Sequence, residues 1–492
     1  MEELGEVLGV GALVLLLAVL AVRVSSRLGL PSLLLYLGIG VVLGESGFGI
    51  EFSNAKLTES LGIAALVLIL TEGGITTKWR EVRPALGVGI ALSTGAVIVS
   101  IGIAGTALHY LLDLDWRTAL LWGAVLSSTD AAAVFSVLRT VGVPKRIAGA
   151  LELESGLNDA PVYLAVVLLA SGAPLGWQTP LLVVYELVAG AIIGGLLGLG
   201  GSWLLRHAAL PSTGLYPLAA VAICVLAYAT GELAGASGLL ATYVSGVVLG
   251  NSQLPHRSDT LSFAEGLGWL AQIGLFVLLG LYMSPERMLE AILPGIVAGL
   301  VLLLLARPAS VFLSTAPFRL PWREQIFLSW SGLRGAVPIV LAMIPLTEGA
   351  PRAELLVNTV FVLVVLLTLF QGGTLPVLAR ILGLRQRGQP TELEVDAAPL
   401  DTLGAELLQV RIQESSKLHG VYLSELRLPK GATVSLVVRE GEGFTPDSST
   451  RLRRADQLLV VATEAAREKT ERRIRAVDRA GKHAAWRGET GR

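Results

Sequence analysis

The sequence predicts a polytopic α-helical membrane protein of about thirteen transmembrane helices, with inverted repeats and two broken crossover helices, followed by a small α/β cytoplasmic domain. Three observations predict it. Of 492 residues, 53% are hydrophobic and 16% charged, where a soluble chain carries about 25% charge. The charge is unevenly placed: residues 391–492 hold 33 of the 77 Lys, Arg, Asp and Glu side chains. Lastly, runs of roughly 20 apolar residues, the length that crosses a bilayer, recur along the first part. The domains read as 1–387 transmembrane, 388–399 linker, 400–480 cytoplasmic and 481–492 disordered tail. A soluble enzyme throughout and a single-span receptor are both excluded. The net charge of −1 gives no reason to expect a nucleic-acid partner.

The spans lie near 7–24, 31–45, 60–76, 84–108, 117–138, 147–170, 180–204, 214–232, 236–251, 264–282, 291–314, 324–346 and 355–380. Glu2, Glu3 and Glu6 precede the first. A signal peptide starts positive, so this span is expected to stay uncleaved. Loop charge checks the count. Alternate loops, from Arg23 and Arg27 through Lys78, Arg80, Arg83, Arg139, Lys145 and Arg146 to Arg380, Arg385 and Arg387, hold fifteen Lys and Arg. The other set holds four: Lys56, Arg117, Arg287 and Arg352. Cytoplasmic loops are the basic ones. The expected orientation in the cell (inner) membrane is therefore N-terminus outside and C-terminal domain in the cytoplasm.

Two spans are interrupted: the fifth at Ser127-Ser128-Thr129-Asp130, the twelfth at Ser331-Gly332-Leu333-Arg334-Gly335-Ala336-Val337-Pro338. They are seven spans apart, so they cross the membrane in opposite directions. A matched pair of broken helices points to a transport site at the midplane. Unwound backbone offers carbonyls to a cation, and half-helix ends offer partial charge. One kinked helix would mean little; the pair, each with a charge at its centre, favours the functional reading.

Ionisable groups at bilayer depth are costly and usually functional. Here they are Glu72, Asp130, Glu152, Glu154, Asp159, Arg307 and Arg334. Five acids against two arginines leave carboxylates that need protons or cations. In the sixth span Glu152, Ser155 and Asp159 fall near one helix face, with Glu154 and Asn158 on the next stripe. All bear oxygen, which hard cations prefer. A carboxylate removed from water holds its proton more readily. One that is neutral with a proton, or charged beside a cation, can exchange the two. Glu154 with Arg334 reads as a structural ion pair, since an unpaired arginine is also costly. Arg307, before Pro308, reads as snorkelling to the interface. Glu72 either gates the cytoplasmic funnel or is merely wetted. Cys224 stands alone, the five histidines lack metal-ligand spacing and no phosphate loop occurs. The sequence thus gives no reason to expect an enzyme, a cofactor or ATP hydrolysis.

Taken together, Ser128-Thr129-Asp130, Glu154-Ser155-Gly156-Leu157-Asn158-Asp159 and Gly332-Leu333-Arg334-Gly335-Ala336 resemble the motifs of the NhaP-type cation/proton antiporters, cation–proton antiporter family 1. The resemblance covers residues 7–384. It implies thirteen spans in a dimerisation part and a mobile core, working as a homodimer in the lipid bilayer. It implies Asp159 as the main cation and proton carboxylate, with Asp130 in support. Thr129 would offer a carbonyl or hydroxyl, and Ser155 and Glu72 would be auxiliary ligands. The monovalent cation would sit at Asp159, Asp130, Thr129 and Ser155. Asn158 would bridge to the crossover, and Glu154 would pair with Arg334. Asn158 in place of a second acid resembles the electroneutral branch. Ala131, Ala160 and Thr71 depart from common family residues, and the Thr-Asp-Ala-Ala form is similar to the potassium/proton branch. Exchange of K⁺ for H⁺ is expected, with Na⁺ or Li⁺ for H⁺ as the alternative.

After the linker, strand-like runs lie at 406–412, 433–439 and 457–463. Residues 418–432 and 452–461 resemble the TrkA-C regulatory domain. It implies dimerisation and a small regulatory ligand such as a nucleotide; a ligand-free dimerisation tail is the alternative. The stretch 466–479, dense in Arg and Glu, reads as a solvated helix with decorative surface pairs. From another class, a ligand-gated channel would need a carbonyl filter or charged rings, and neither is seen. A non-transporting sensor would not need Asp130 and Asp159.

Overall fold

Polar side chains at the membrane edge start several helices. Asn54 accepts from the Leu57 N–H at 3.0 Å, Asp115 from Thr118 at 3.1 Å and Ser237 from Leu240 at 3.4 Å, each satisfying an orphan donor of a first turn. The structure, a computed structural model, describes residues 2–28, 32–45, 47–50, 52–130, 143–174, 176–283, 285–384, 395–400, 405–413, 416–439 and 441–481. It divides into two units, Met1–Arg385 and Gln386–Arg492. The second half of the fifth span with Ala131 and Arg139, the linker up to 394, and the tail from 482 lie outside the described residues.

Leaving connectors of one turn unnumbered, the first unit contains α1 (Glu2–Leu28), α2 (Ser32–Leu43), α3 (Ala55–Thr76), α4 (Leu86–Ser93), α5 (Gly95–Leu111) and α6 (Trp116–Ser127). Next come α7 (Lys145–Leu157), α8 (Asp159–Ala170), α9 (Thr179–His207), α10 (Leu215–Leu233), α11 (Gly238–Gly250) and α12 (Arg257–Tyr282). The unit closes with α13 (Ile292–Val301), α14 (Arg307–Thr315), α15 (Trp322–Trp330), α16 (Ala336–Thr347) and α17 (Ala353–Ile381). Among the described residues eight helical stretches are long and apolar enough to cross a membrane, and four shorter apolar helices accompany them. Those twelve, with α6 as the described half of the fifth, account for the spans read from the sequence.

The helices fall into two packed groups: α1–α3 with α9–α12, and α4–α8 with α13–α17. Lipid is as apolar as leucine, so helices in a membrane associate by close approach at small residues. A methyl added at Gly40 of α2 would lie 2.8 Å from the Gly280 Cα of α12, and one at Gly246 of α11 would lie 3.0 Å from the Gly74 Cα of α3.

The second unit is an antiparallel sheet ordered β1-β2-β5-β3-β4, made of β1 (Val395–Leu400), β2 (Ala405–Arg411), β3 (Ala432–Arg439), β4 (Glu442–Phe444) and β5 (Gln457–Thr463). Leu458, Val460 and Ala462 alternate inward along β5, the period of a strand with one buried face. Two expectations are corrected. The last part of the linker expected over 388–399 is β1, whose Val395 pairs with Val410; Pro399 is tolerated because β1 is an edge strand among the described strands. The final helix, α18 (Glu464–Ala480), is not solvated all round. Ala466, Thr470, Arg473, Ile474 and Val477 recur every three or four residues and are buried, and Arg473 donates to the Leu426 carbonyl at 2.8 Å.

The hydrogen bonds from Thr118 hold the Asp115 carboxyl below the usual carboxylate range. A folded-state pKa below the unfolded one stabilises at neutral pH and is lost as pH falls through it. Asp115→Ala should cost about 1 kcal/mol near pH 7, and less below about pH 4. Thermal unfolding in detergent at both pH values checks this; an equal cost at both would count against the cap.

Candidate functional site

The two interruptions meet. Helix α6 stops at Ser127, α15 stops at Trp330, and residues 331–335 are not helical before α16 begins. Across the gap the Asp130 N–H donates to the Leu333 carbonyl at 3.0 Å. Backbone unwound inside a membrane must find such partners. The approach depends on glycine: a Cβ at Gly335 would run into the Asp130 carboxylate, and one at Gly332 would lie 2.6 Å from the Arg307 Nε.

Each interruption also caps the other's helix. Arg334 Nη1 donates to the Ser127 carbonyl at 2.8 Å and to the Ser128 carbonyl, where α6 leaves its last acceptors unpaired. Asp130 Oδ2 accepts from the Ala336 N–H at 3.2 Å, in the first turn of α16. A cation thus stands at a helix C-terminus and an anion at an N-terminus, both favoured by the macrodipole. Thr368 steadies the arrangement by donating to the Arg334 carbonyl at 3.0 Å.

The sixth span breaks beside this crossing. Pro161 has no N–H for the Leu157 carbonyl, and the helix is interrupted at Asn158 between α7 and α8. The break joins Asn158 and Asp159 to the crossover. Ser128 Oγ donates to Asp159 Oδ1 at 2.9 Å. Asn158 Nδ2 donates to Thr129 Oγ1 at 2.5 Å, and the Thr129 and Ser155 hydroxyls lie 3.3 Å apart. Asp130 and Asp159 are each 4% exposed. Asn158 Oδ1 is buried without a hydrogen-bond partner among the described residues. Oxygen therefore dominates a dry cluster of two carboxylates, three hydroxyls and an amide. Glu72 is half-buried on α3, where Gly268 of α12 makes room for it: a methyl there would lie 2.8 Å from the Glu72 Cγ.

The ion pair is a correction. Glu154 binds Arg307, not Arg334: Arg307 Nη1 and Nη2 both donate to its carboxylate, the second at 2.9 Å. Arg307 is 5% exposed and does not snorkel. Pro308 cannot supply an N–H to the turn before it, and Leu302–Ala306 form a π-turn that leads into Arg307. Arg307 also donates to the Leu328 carbonyl at 3.2 Å, near the end of α15. Arg334 meanwhile is used on α6.

Two contributors, Ser128 and Tyr243, were given no role from sequence, and Arg307 was given the wrong one. Ser128 stood inside the quoted motif. Arg307 was visible as a charge at bilayer depth, but nothing local in the sequence pointed to Glu154 as its partner. Tyr243 of α11 had none beyond Gly156 opposite it: a methyl on Gly156 would lie 2.8 Å from the Tyr243 hydroxyl, which is 3.4 Å from Thr77 Oγ1.

The family model described as Sodium/hydrogen exchanger, transmembrane, matches residues 12–381, and the TrkA-C domain matches residues 407–475. Over 477 residues the chain is 37% identical to the K(+)/H(+) antiporter NhaP of Alkalimonas amylolytica, covering 94% of this chain and 82% of that protein. It is 36% identical to the K(+)/H(+) antiporter NhaP2 of Shewanella oneidensis, covering 92% and 81%. The solved sodium proton antiporter MjNhaP1 from Methanocaldococcus jannaschii shares the fold at 22% identity, with a TM-score of 0.69 over 78% of this chain and 100% of that one.

Removing one partner of a buried ion pair costs about 3–5 kcal/mol. Glu154→Gln should lose that much by thermal unfolding, and Glu154→Leu combined with Arg307→Met should recover most of it. If Glu154→Gln cost nothing, the pairing would be refuted.

Proposed function

We propose that this chain, which belongs to the sodium/hydrogen exchanger family, exchanges K⁺ for H⁺ at Asp159 by alternating access. It is a multi-pass membrane antiporter and not an enzyme. The observation that carries the site reading is the buried cluster in which Ser128 holds Asp159 while Asn158, Thr129 and Ser155 join at the crossing of two unwound segments.

The chemistry follows from a buried carboxylate. A bare negative charge at bilayer depth is unstable, so Asp159 carries either a proton or a cation. A dehydrated monovalent cation would take oxygen from Asp159, Asp130, Thr129 and Ser155, with Glu72 as auxiliary. Protonation removes the counter-charge and releases the cation; the next cation displaces the proton. Asn158 is neutral, so one carboxylate exchanges one proton for one cation, which makes the exchange electroneutral. Glu154 serves by holding Arg307 neutralised beside the site, in the role first assigned to its pairing with Arg334.

The names of two relatives matched over more than nine tenths of this chain support K⁺; likeness to MjNhaP1 keeps Na⁺ as the second reading. By family resemblance the protein works as a homodimer and serves pH homeostasis; the basic alternate loops support an inner-membrane orientation with the N-terminus outside. The TrkA-C domain supports a small regulatory ligand, a nucleotide, on the cytoplasmic tail.

Everted vesicles from an antiporter-deficient host, loaded with a ΔpH-sensitive dye, test this. K⁺ should dequench the dye, and Asp159→Asn should abolish the response; a response to Na⁺ and Li⁺ alone would keep the mechanism and change the cargo. Proton competition makes the apparent KM for the cation rise as pH falls, by up to about tenfold per pH unit. In proteoliposomes, imposing a membrane potential should leave the rate and end point unchanged. A potential-driven shift in end point would refute one-for-one exchange.

A further inference from the structure

Between α4 and α7–α8 on one side and α9 and α11 on the other runs a crevice of about 680 Å³. Its wall is largely hydrocarbon: Ile90, Leu153, Leu157, Val188, Leu240 and Val247 line it. Ile90 and Val188 are 46% and 54% exposed, so the crevice opens sideways on the apolar surface of the helix groups. Water would find few partners there, and water without partners does not fill apolar space.

One end is marked by Trp79 and Asn251, whose side-chain oxygen accepts from the Trp79 N–H at 2.8 Å. Tryptophan favours the membrane–water interface. Lys78, Arg80 and Arg83, on the same connector, are exposed. Two acids lie near them, Glu81, which is 3.9 Å from Lys145, and Glu152, which interacts with Lys78; Lys78, Arg80, Arg83 and Lys145 outnumber the two, so the rim stays positive. The other end lies at Leu240. From Leu240 to Asn251 the wall runs about 16 Å at 1.5 Å per residue. Half of a hydrocarbon core of roughly 30 Å is about 15 Å. The crevice is thus one leaflet deep, apolar along its length, open to the bilayer and basic at its interfacial end.

We propose that it seats one acyl chain of an anionic phospholipid, drawn from the leaflet on the Lys78 side, with the headgroup phosphate at Lys78 and Arg80. The chain lies between the two helix groups and against Tyr243, whose ring covers Gly156 next to Ser155. A lipid held there is a ligand of the contact across which the groups would move, and its exchange is a step in any motion that closes the crevice.

The full-length protein is reconstituted into vesicles containing a phosphatidylglycerol with a photoreactive diazirine in one acyl chain. After irradiation, adducts are mapped by peptide mass spectrometry. Ile90, Val188 and Val247 should be labelled well above Leu300 and Leu313, which are exposed elsewhere. Ala191→Trp, on the crevice wall, should remove crevice adducts and spare those at Leu313. Lys78→Gln with Arg80→Gln keeps the test decisive if that variant misfolds. It should lower crevice labelling from phosphatidylglycerol by about thirtyfold, as two interfacial charges imply, and leave labelling from a phosphatidylcholine analogue unchanged. Even labelling over all exposed helices would overturn the proposal. So would crevice residues protected from lipid by a second copy of the chain. Antiport is read separately on the same vesicles, so failure of either reading leaves the other standing.

Discussion

A membrane helix that stops halfway leaves carbonyls or N–H groups with no water to bind them, and the rest of this architecture depends on how that is solved. Here the interruptions solve it for each other. Arg334, from the second, binds the end of α6 at the Ser127 and Ser128 carbonyls. Asp130, from the first, accepts from the start of α16 at Ala336. Two charges that would each be costly in lipid instead meet helix-end charges of opposite sign. Gly335 is the steric condition, because any side chain there would occupy the Asp130 carboxylate's place.

Asp159 is left with a different environment. It has a hydroxyl from Ser128 but sits near a second carboxylate rather than an arginine. Among the described residues of the first unit the two buried arginines are engaged elsewhere, Arg334 on α6 carbonyls and Arg307 on Glu154. Among the described residues no fixed positive charge therefore quenches Asp159, and the proposed exchange of proton for cation requires that. Structural neutralisation and the proposed titrating site are compatible because Arg307 has Glu154 and Arg334 has helix-end carbonyls as partners.

Much of this was legible in the chain. Asp130, Asp159, Thr129, Ser155 and Asn158 stand in two short motifs, and apolar run lengths identified the spans. The Glu154 partner was not legible. Pairing it with Arg334 was reasonable by charge count, but a π-turn before Arg307 and Pro308 brings a residue from a distant span to Glu154. The tail shows the same limit. The charges of α18 looked like solvent decoration, yet Arg473 and Ile474 are buried, and β1 occupies the last part of the expected linker. Strand pairing and helix facing depend on partners far away in sequence.

The sequence by itself determined the solvent of each part, the number of spans, the two interruptions and the surplus of buried acids. These follow from local composition, because a bilayer imposes length and polarity one segment at a time. Only the tertiary structure decided which cation answers which anion, which helix end each charge caps, how Tyr243 comes to lie on Gly156, and where the helix groups leave an apolar gap. Those outcomes depend on distances between segments up to about two hundred residues apart, as from Asp130 to Ala336, and a hydrogen bond or ion pair forms only within a few ångströms.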